Sequence, residues 1–575
     1  MEERHLLALG IGNGSKVEAI KLASHGLRGP LVDELVSDAT HLTEDSIQLL
    51  KFHGSYQQED RDQRAARRAA GTERAYQFMI RSRIPGGRMS AAQYLVHDDI
   101  AQRYGNGTIR LTTRQAIQLH GVLKTDLRST IHEINASLLS TLAACGDVNR
   151  NVMSCPAPLH DRHAEFFEIT EKIVHRLAPR TRSYHEIWID GERIELPKDA
   201  AAPPEPEPIY GPTYLPRKFK IAIADPHDNC VDVMTQDIGL IAVLDGDRVA
   251  GFTIVVGGGM GTTHNKPQTY ARLATPLAFV SPDEAVDVVE AIVTVQRDYG
   301  DRVERKHARM KYLIAERGIA WFREQVEARL GRRLADPHPL ELRDIDDHLG
   351  WHRQPDGRWF LGVFVQSGRI HDAGELRLRT GLADVLHRFE PNLRITGQQN
   401  LLLTDVRAED REPLTDLLRA HGVVVDPLQL GVRRYSMACP AAPTCGLAVA
   451  ESERALPALV ASLQSELDEL GLGDERFSLR MTGCPNGCAR PFVGDLGIVG
   501  RSAGLYDVLI GGDWVGTRLN ATLAQSVKTA DIIPKLKPLL SRWRDERQSA
   551  ETFGDWANRI GIEALVTTKS EAVLS

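Results

Sequence analysis

Thr108-Ile-Arg110-Leu-Thr112-Thr-Arg114-Gln115 and Asn392-Leu-Arg394-Ile-Thr396-Gly-Gln398-Gln399 lie 284 residues apart and read as two copies of one segment. Each alternates apolar and polar residues and resumes with apolar positions at 117 and 119 or at 401 and 403, the signature of a strand, a tight turn and a second strand. The same offset sets Met153-Ser-Cys155-Pro156 against Met437-Ala-Cys439-Pro440. Slightly different offsets pair Gly87-Arg88 with Gly368-Arg369 and Val256-Gly257-Gly258 with Ile510-Gly511-Gly512, as indels in loops would produce. A single match is what common strand residues give by chance; several in the same order indicate a duplicated unit. A duplicated unit of mixed strands and helices predicts an α+β fold with a pseudo-twofold axis, in which a ligand at the seam touches both copies.

Working outward, 575 residues exceed what one core supports, so several domains are expected. Lys plus Arg (70) nearly balance Asp plus Glu (77), which argues against a nucleic-acid partner. No stretch has the length and apolarity of a membrane span, and the opening MEERHLLALGIGNGSK lacks the pattern of an export signal, so the expected location is cytoplasmic. Apolar residues at Val17, Ile20, Leu22, Leu31 and Leu35, with a helix start at Thr43, predict a wrapping N-terminal extension. The Pro-rich and acidic run from 197 to 217 reads as a long surface loop. The expected boundaries are an extension over 1–74, then a smaller domain over 75–145 and a larger one over 146–345, repeated as a smaller domain over 346–425 and a larger one over 426–575.

Seven cysteines in a chain of this kind argue against a disulfide framework. Four form Cys439-x5-Cys445 and Cys484-x3-Cys488, with 38 residues between the pairs. Four thiolates suit a soft metal. Wide loops rich in Pro and Gly favour the corners of an iron-sulfur cube, while a structural zinc site stays open as the alternative. Cys155 and Cys230 lie in the copy without a full set and read as buried non-ligands.

Met437-Ala-Cys439, Thr444-Cys445 and Thr482-Gly-Cys484-Pro-Asn-Gly-Cys488 resemble the cluster loops of the sirohaem-containing sulfite and nitrite reductases. The likeness extends through Lys51-Phe-His-Gly-Ser-Tyr-Gln-Gln58, Ile109-Arg-Leu-Thr-Thr-Arg-Gln115, Asn149-Arg-Asn151, Leu215-Pro-Arg-Lys-Phe-Lys220 and Gly257-Gly-Gly259, nearly the whole chain. It implies two ferredoxin-like half-domains, a central sirohaem, and a [4Fe-4S] cluster held by Cys439, Cys445, Cys484 and Cys488, with Cys488 bridging cluster and sirohaem iron. Arg81, Arg150, Lys218 and Lys220 are then the substrate residues. Arg110, Arg114, Gln115, His120, Gly257, Gly258, Arg394, Gln398, Gln399, Asn400 and Asn486 are candidates for holding the macrocycle, whose carboxylates suit forked cationic and amide donors. The likeness also puts His53 and Tyr56 near the cofactor, without a role. Nitrite-reducing relatives tend to carry Asn where this chain has Lys220, so sulfite is the expected substrate; the alternatives are a nitrite reductase making ammonia and a scaffold that kept its metal but lost its chemistry.

Lys218-Phe219-Lys220 would otherwise read as a basic edge strand exposed to water. In extended chain, however, its two ammonium groups stand on one face about 7 Å apart and Phe219 on the other. Gly257-Gly-Gly-Met-Gly261 lacks the G-x-G-x-x-G register of a dinucleotide loop and fits a close approach to a cofactor. With no flavin or nicotinamide motif in sight, the electron donor is expected to be a separate protein, a ferredoxin or an NADPH flavoprotein subunit.

Overall fold

The computed structural model describes residues 14–190 and 207–567. Residues 197–206 of the expected loop, and most of the opening segment read for an export signal, lie outside the described residues. Strands of the first copy are β1 (Ser55–Glu59), β2 (Tyr76–Arg81), β3 (Arg88–Met89), β4 (Ile109–Leu111), β5 (Ile117–Val122), β6 (Met153–Ser154), β7 (Ile221–Ala224), β8 (Ile238–Asp245), β9 (Arg248–Val256) and β10 (Thr275–Val280). The second copy supplies β11 (Gly350–Arg353), β12 (Trp359–Val363), β13 (Arg369–Ile370), the small hairpin β14 (Asp372–Ala373) and β15 (Leu376–Arg377), β16 (Asn392–Ile395), β17 (Leu401–Val406), β18 (Ser436–Ala438), β19 (Leu479–Thr482), β20 (Leu496–Ser502), β21 (Leu505–Ile510) and β22 (Ala521–Lys528).

Among the described residues, four five-stranded sheets form two matched pairs. The half-domain sheets run β1-β2-β5-β4-β13 and β11-β12-β17-β16-β3. Each therefore ends on a strand donated by the other copy: Arg369 pairs with Arg110, and Arg88 with Arg394. The residues before the exchanged strands must be glycine. A Cβ on Gly87 (φ +74°) would sit 2.4 Å from Ile395 O, and one on Gly368 (φ +74°) 2.3 Å from Leu111 O. The matches read across the two copies are thus the points at which the copies interlock.

The cofactor-domain sheets run β6-β7-β8-β9-β10 and β18-β19-β20-β21-β22. In both, the first three strands are parallel and the rest antiparallel. Apolar residues at helical spacing explain the matching covers: Phe166, Ile169, Ile173 and Val174 are buried from helix Arg162–Arg176, and Leu456, Leu459, Val460, Leu463 and Leu467 from helix Leu456–Glu469. The fold is α+β with a pseudo-twofold repeat.

Two expectations need adjusting. β1 falls inside the segment read as the extension, 1–74, yet pairs with β2 along its length, because Ser55 and Glu59 are buried at its two ends. The Lys218–Lys220 stretch is not a laddered strand but the lead-in to β7, fixed by one bridge in which Phe219 N donates to Val148 O and Arg150 N to Phe219 O. The alternation holds all the same: Phe219 is buried and the two lysines face the other way.

Candidate active site

β18 and β19 are parallel neighbours, so their C-terminal ends open at the same sheet edge, and the two cysteine pairs follow directly from them. Gly483 N points at Cys439 Sγ (3.4 Å), and Asn486 Nδ2 at Cys484 Sγ (3.4 Å). All four cysteines are free thiols. Burial, with the charge of Cys488 next, pushes the Cys484 thiol up to about 11 and Cys439 further, so it takes a bound metal to hold them as thiolates. No three of the four sulfurs lie within 4.8 Å of one another. One tetrahedral zinc would need them about 3.8 Å apart, whereas a cube reaches each corner separately. The spacing therefore fits the cluster and not zinc.

The cluster loops dock on the first copy. Thr113 Oγ1 donates to Cys488 O (2.9 Å), Thr262 N to Pro485 O (2.8 Å), and Gly261 faces Asn486 O. From the N-terminal region, Arg61 Nη1 reaches Ala448 O at 2.7 Å and Cys445 O at 3.2 Å, so this segment wraps the cluster edge.

On the other side of Cys488 stands a group of cations. The bridge at Phe219 brings Arg150 alongside Lys218 and Lys220. Burial, then Arg217 and Arg150, lowers Lys218 to about 7; burial, then Arg114 and Lys218, takes Lys220 well below its ordinary value. The charge of Cys488 acts on both lysines in the opposite sense. Neither ammonium makes a hydrogen bond or ion pair among the described residues. Arg150 Nη2 lies 3.4 Å from Tyr56 Oη, and Arg81 Nη1 donates to Cys145 Sγ at 2.9 Å. Unpaired, half-buried cations of this density are a site for anionic oxygens.

The residues read as macrocycle ligands divide. Arg114 projects toward the cations, with its guanidinium on Asn151 O (2.8 Å) and on Gln236 Oε1. His120 is buried with Nε2 unpartnered, under the influence of Arg369, Arg110 and Arg81. Gln398 lines a small cavity with Arg434, Met437, Arg480 and Trp514, its Oε1 unpartnered. Asn486 serves the cysteine loop itself. Others also bond the fold itself, with Arg394 Nε and Gln399 Oε1 left unpartnered. Gln115 exchanges both amide bonds with Ser154; Gln399 donates to Ser367 O, and Asn400 Oδ1 accepts from Val365 N. Arg110 is buried in an ion pair with Glu453 and donates to Ala438 O at 2.8 Å. Its counterpart Arg394 donates to Pro156 O (2.9 Å), on the Cys155 side of the pseudo-twofold. Gly257 (φ +82°) and Gly258 are required by close packing on Arg272 and on the Met234 and Gln236 carbonyls.

Several residues carried no sequence signal. Asp147 sits among Lys21, Arg217 and Arg305; burial pushes its carboxyl up, but Arg305, Lys21 and Arg217 outweigh that and hold it well below the usual range. Arg309 is bidentate on Asp237, and Lys311 donates to Gly259 O and Gly261 O, buttressing the glycine loop. Only Arg490, two residues past Cys488, could have been suspected from its place beside the motif.

With this geometry in place, comparison with known proteins is direct. The family model described as the nitrite and sulphite reductase 4Fe-4S domain matches residues 169–334 and 432–572, and the nitrite/sulfite reductase ferredoxin-like half domain matches 71–137 and 352–421. The chain belongs to the nitrite and sulfite reductase family. Among relatives of this reductase, the "Sulfite reductase [ferredoxin]" of Synechococcus elongatus is 48% identical over 96% of the chain and 90% of its own length. The "Sulfite reductase [NADPH] hemoprotein beta-component" of Staphylococcus saprophyticus is 46% identical over 95% of the chain and 96% of its own length. The solved structure of the Mycobacterium tuberculosis NirA protein superposes with a TM-score of 0.78 at 26% identity, covering 97% of this reductase and 99% of that chain. The reductase is an oxidoreductase whose cofactors are a [4Fe-4S] cluster and sirohaem, and the four separated thiols and the unpaired cations fit them. No helix among its described residues is long and apolar enough to cross a membrane.

Proposed function

We propose that this reductase converts sulfite to sulfide by six-electron reduction. When bound, sirohaem and the cluster supply the iron that receives substrate and the stored electrons that reduce it. The residues around them bind and protonate. Arg81 and Arg150 grip sulfite oxygens; Lys218 and Lys220, half-buried beside other cations, stabilise departing oxygen, and Lys218, lowered to about 7, can give up a proton near neutral pH. Cys488, whose charge reaches both lysines, would hold the cluster on the side that faces the cations.

The observation that carries sulfite over nitrite is the unpaired Lys220 beside Lys218: two cations suit a more highly charged, three-oxygen anion. Electrons come from a separate protein, for which the ferredoxin- and NADPH-named relatives offer the two candidate types. The test is steady-state turnover of the cofactor-loaded protein with a reduced viologen, comparing kcat/KM for sulfite and nitrite. Preference for sulfite with stoichiometric sulfide supports the reading; preference for nitrite with ammonia overturns it; turnover of neither returns the scaffold alternative.

A further inference from the structure

The cysteines of the first copy, Cys155 and Cys230, were expected to be buried non-ligands. Buried they are, but not alone. Cys155 follows β6 and Cys230 lies in the turn after β7, the parallel pair that matches β18 and β19, so they occupy the first copy's counterpart of the cluster edge. Asp228 joins them from the same turn, and His348 from the segment leading into β11. One ligand atom from each of Cys155, Asp228, Cys230 and His348 lies within 4.8 Å of every other, the one group of this kind among the described residues.

The details are those of a coordination site. Asp228 is aimed: its Oδ1 accepts from Cys230 N (3.1 Å) and Asp346 N (3.0 Å), which leaves Oδ2 facing Cys155 Sγ at 3.0 Å and His348 Nε2 at 3.0 Å. His348 is fully buried, yet neither ring nitrogen makes a hydrogen bond, since the approach of Nε2 to Asp228 has the distance but not the geometry of one. Nδ1 therefore has no partner and Nε2 only the Asp228 carboxylate, so the buried ring still lacks a group to take its lone pair. His348 also holds φ +57°, where a residue with a Cβ is uncommon, and Asp346 Oδ1 fixes its N–H at 2.9 Å. Around the four lie Met153, Ala157, Ala222, Val231, Ile345 and Phe360, and the His163 ring, paired with Asp225, also faces Cys155.

We propose that Cys155, Asp228, Cys230 and His348 bind a structural zinc ion, separate from the cofactors. Two thiolates, one imidazole and one carboxylate form a closed tetrahedral set for a borderline-soft dication, and they lie too close together for a cube. The ion would tie the segment before β11 to the β7 turn, next to Asp232, which pairs with Arg480 and Arg490 of the second copy. It would thus fasten the first cofactor domain to the approach of the second half-domain.

The test is metal analysis of the holoprotein from zinc-supplemented cells, with iron measured in the same samples. The expected result is about one zinc per chain, falling at least about tenfold in the Cys155→Ser/Cys230→Ser double variant while iron is unchanged. Zinc-edge X-ray absorption on the unmodified protein needs no variant and ignores iron. It should show two sulfurs at about 2.3 Å and two lighter ligands at about 2.0–2.2 Å. Full iron with no zinc, zinc retained by the double variant, a zinc shell without sulfur, or a Cys155–Cys230 disulfide in non-reducing peptide mass spectra would each overturn the proposal.

Discussion

Asp232, in the turn after β7, accepts from the Nε of Arg490, two residues beyond Cys488, and from Arg480 Nη1 at 2.7 Å. One carboxylate of the first copy thereby holds both arginines that flank the second cysteine pair. Arg490 passes the restraint on, donating to Thr113 O (3.0 Å) and Gly397 O (2.8 Å). Asp232→Asn keeps the shape and leaves two buried guanidinium groups without their counter-charge, which costs about 3–5 kcal/mol. The expected outcome is a lower unfolding midpoint together with reduced iron per chain on purification. A variant with wild-type stability would show that Asp232 does not join the halves.

Lys220 and Lys218 share a face, and after burial Arg114 is the charge that weighs most on Lys220. Lys220→Asn removes one of the two lysine cations and leaves Arg81 and Arg150 in place. Losing a positioned donor at developing negative charge typically costs about 10²–10³-fold. That loss is expected in kcat/KM for sulfite, with a smaller loss for nitrite, so the ratio of the two moves toward nitrite. Equal losses on both substrates would mean that Lys220 serves catalysis without selecting the anion.

The repeat and the cysteine loops were legible because each writes itself into local sequence: period-two alternation for the strands, and fixed cysteine spacing for the loops. The exchange of β3 and β13 was not, since a two-residue strand after a glycine does not say which sheet it joins. The backbone partners of Gln115 and Gln399 were hidden for a related reason. An amide beside an Arg-rich strand looks like a free donor, and only the path of the Ser154 and Ser367 backbone shows it consumed. Asp147, Asp232 and the His348 tetrad were not legible as groups because their partners lie far away in sequence: Cys155 follows β6, Asp228 and Cys230 share the turn after β7, and His348 precedes β11.

The cluster reading separates the seven cysteines by consequence. Cys484→Ser, and equally Cys439→Ser, should lose the cluster's iron and acid-labile sulfide, about four of each. Cys145→Ser should keep both, because Cys145 bonds Arg81 and lies outside the cysteine loops. Iron and labile sulfide per chain, measured side by side, decide this. Retention of the full cluster in Cys484→Ser would remove Cys484 from the ligand set.

Lys218 gives the pH dependence its sign. Its folded value, lowered to about 7 by burial, Arg217, Arg150 and Arg309 against the opposing charge of Cys488, lies below the ordinary lysine value of 10.5. The native site therefore sheds its proton first. From this group alone, the folded protein gains stability as pH rises from about 7 toward 10.5, since the unfolded chain there binds the extra proton. Activity runs the other way: as Lys218 loses its charge, it can neither attract sulfite nor donate a proton, and kcat/KM should fall on the alkaline side. Lys218→Arg stays charged throughout, so dividing the wild-type profile by the variant's cancels the titration of sulfite itself. The quotient is expected to decline as pH rises from about 6 to 9. A flat quotient would show that Lys218 keeps one protonation state over this range and that the proton comes from elsewhere.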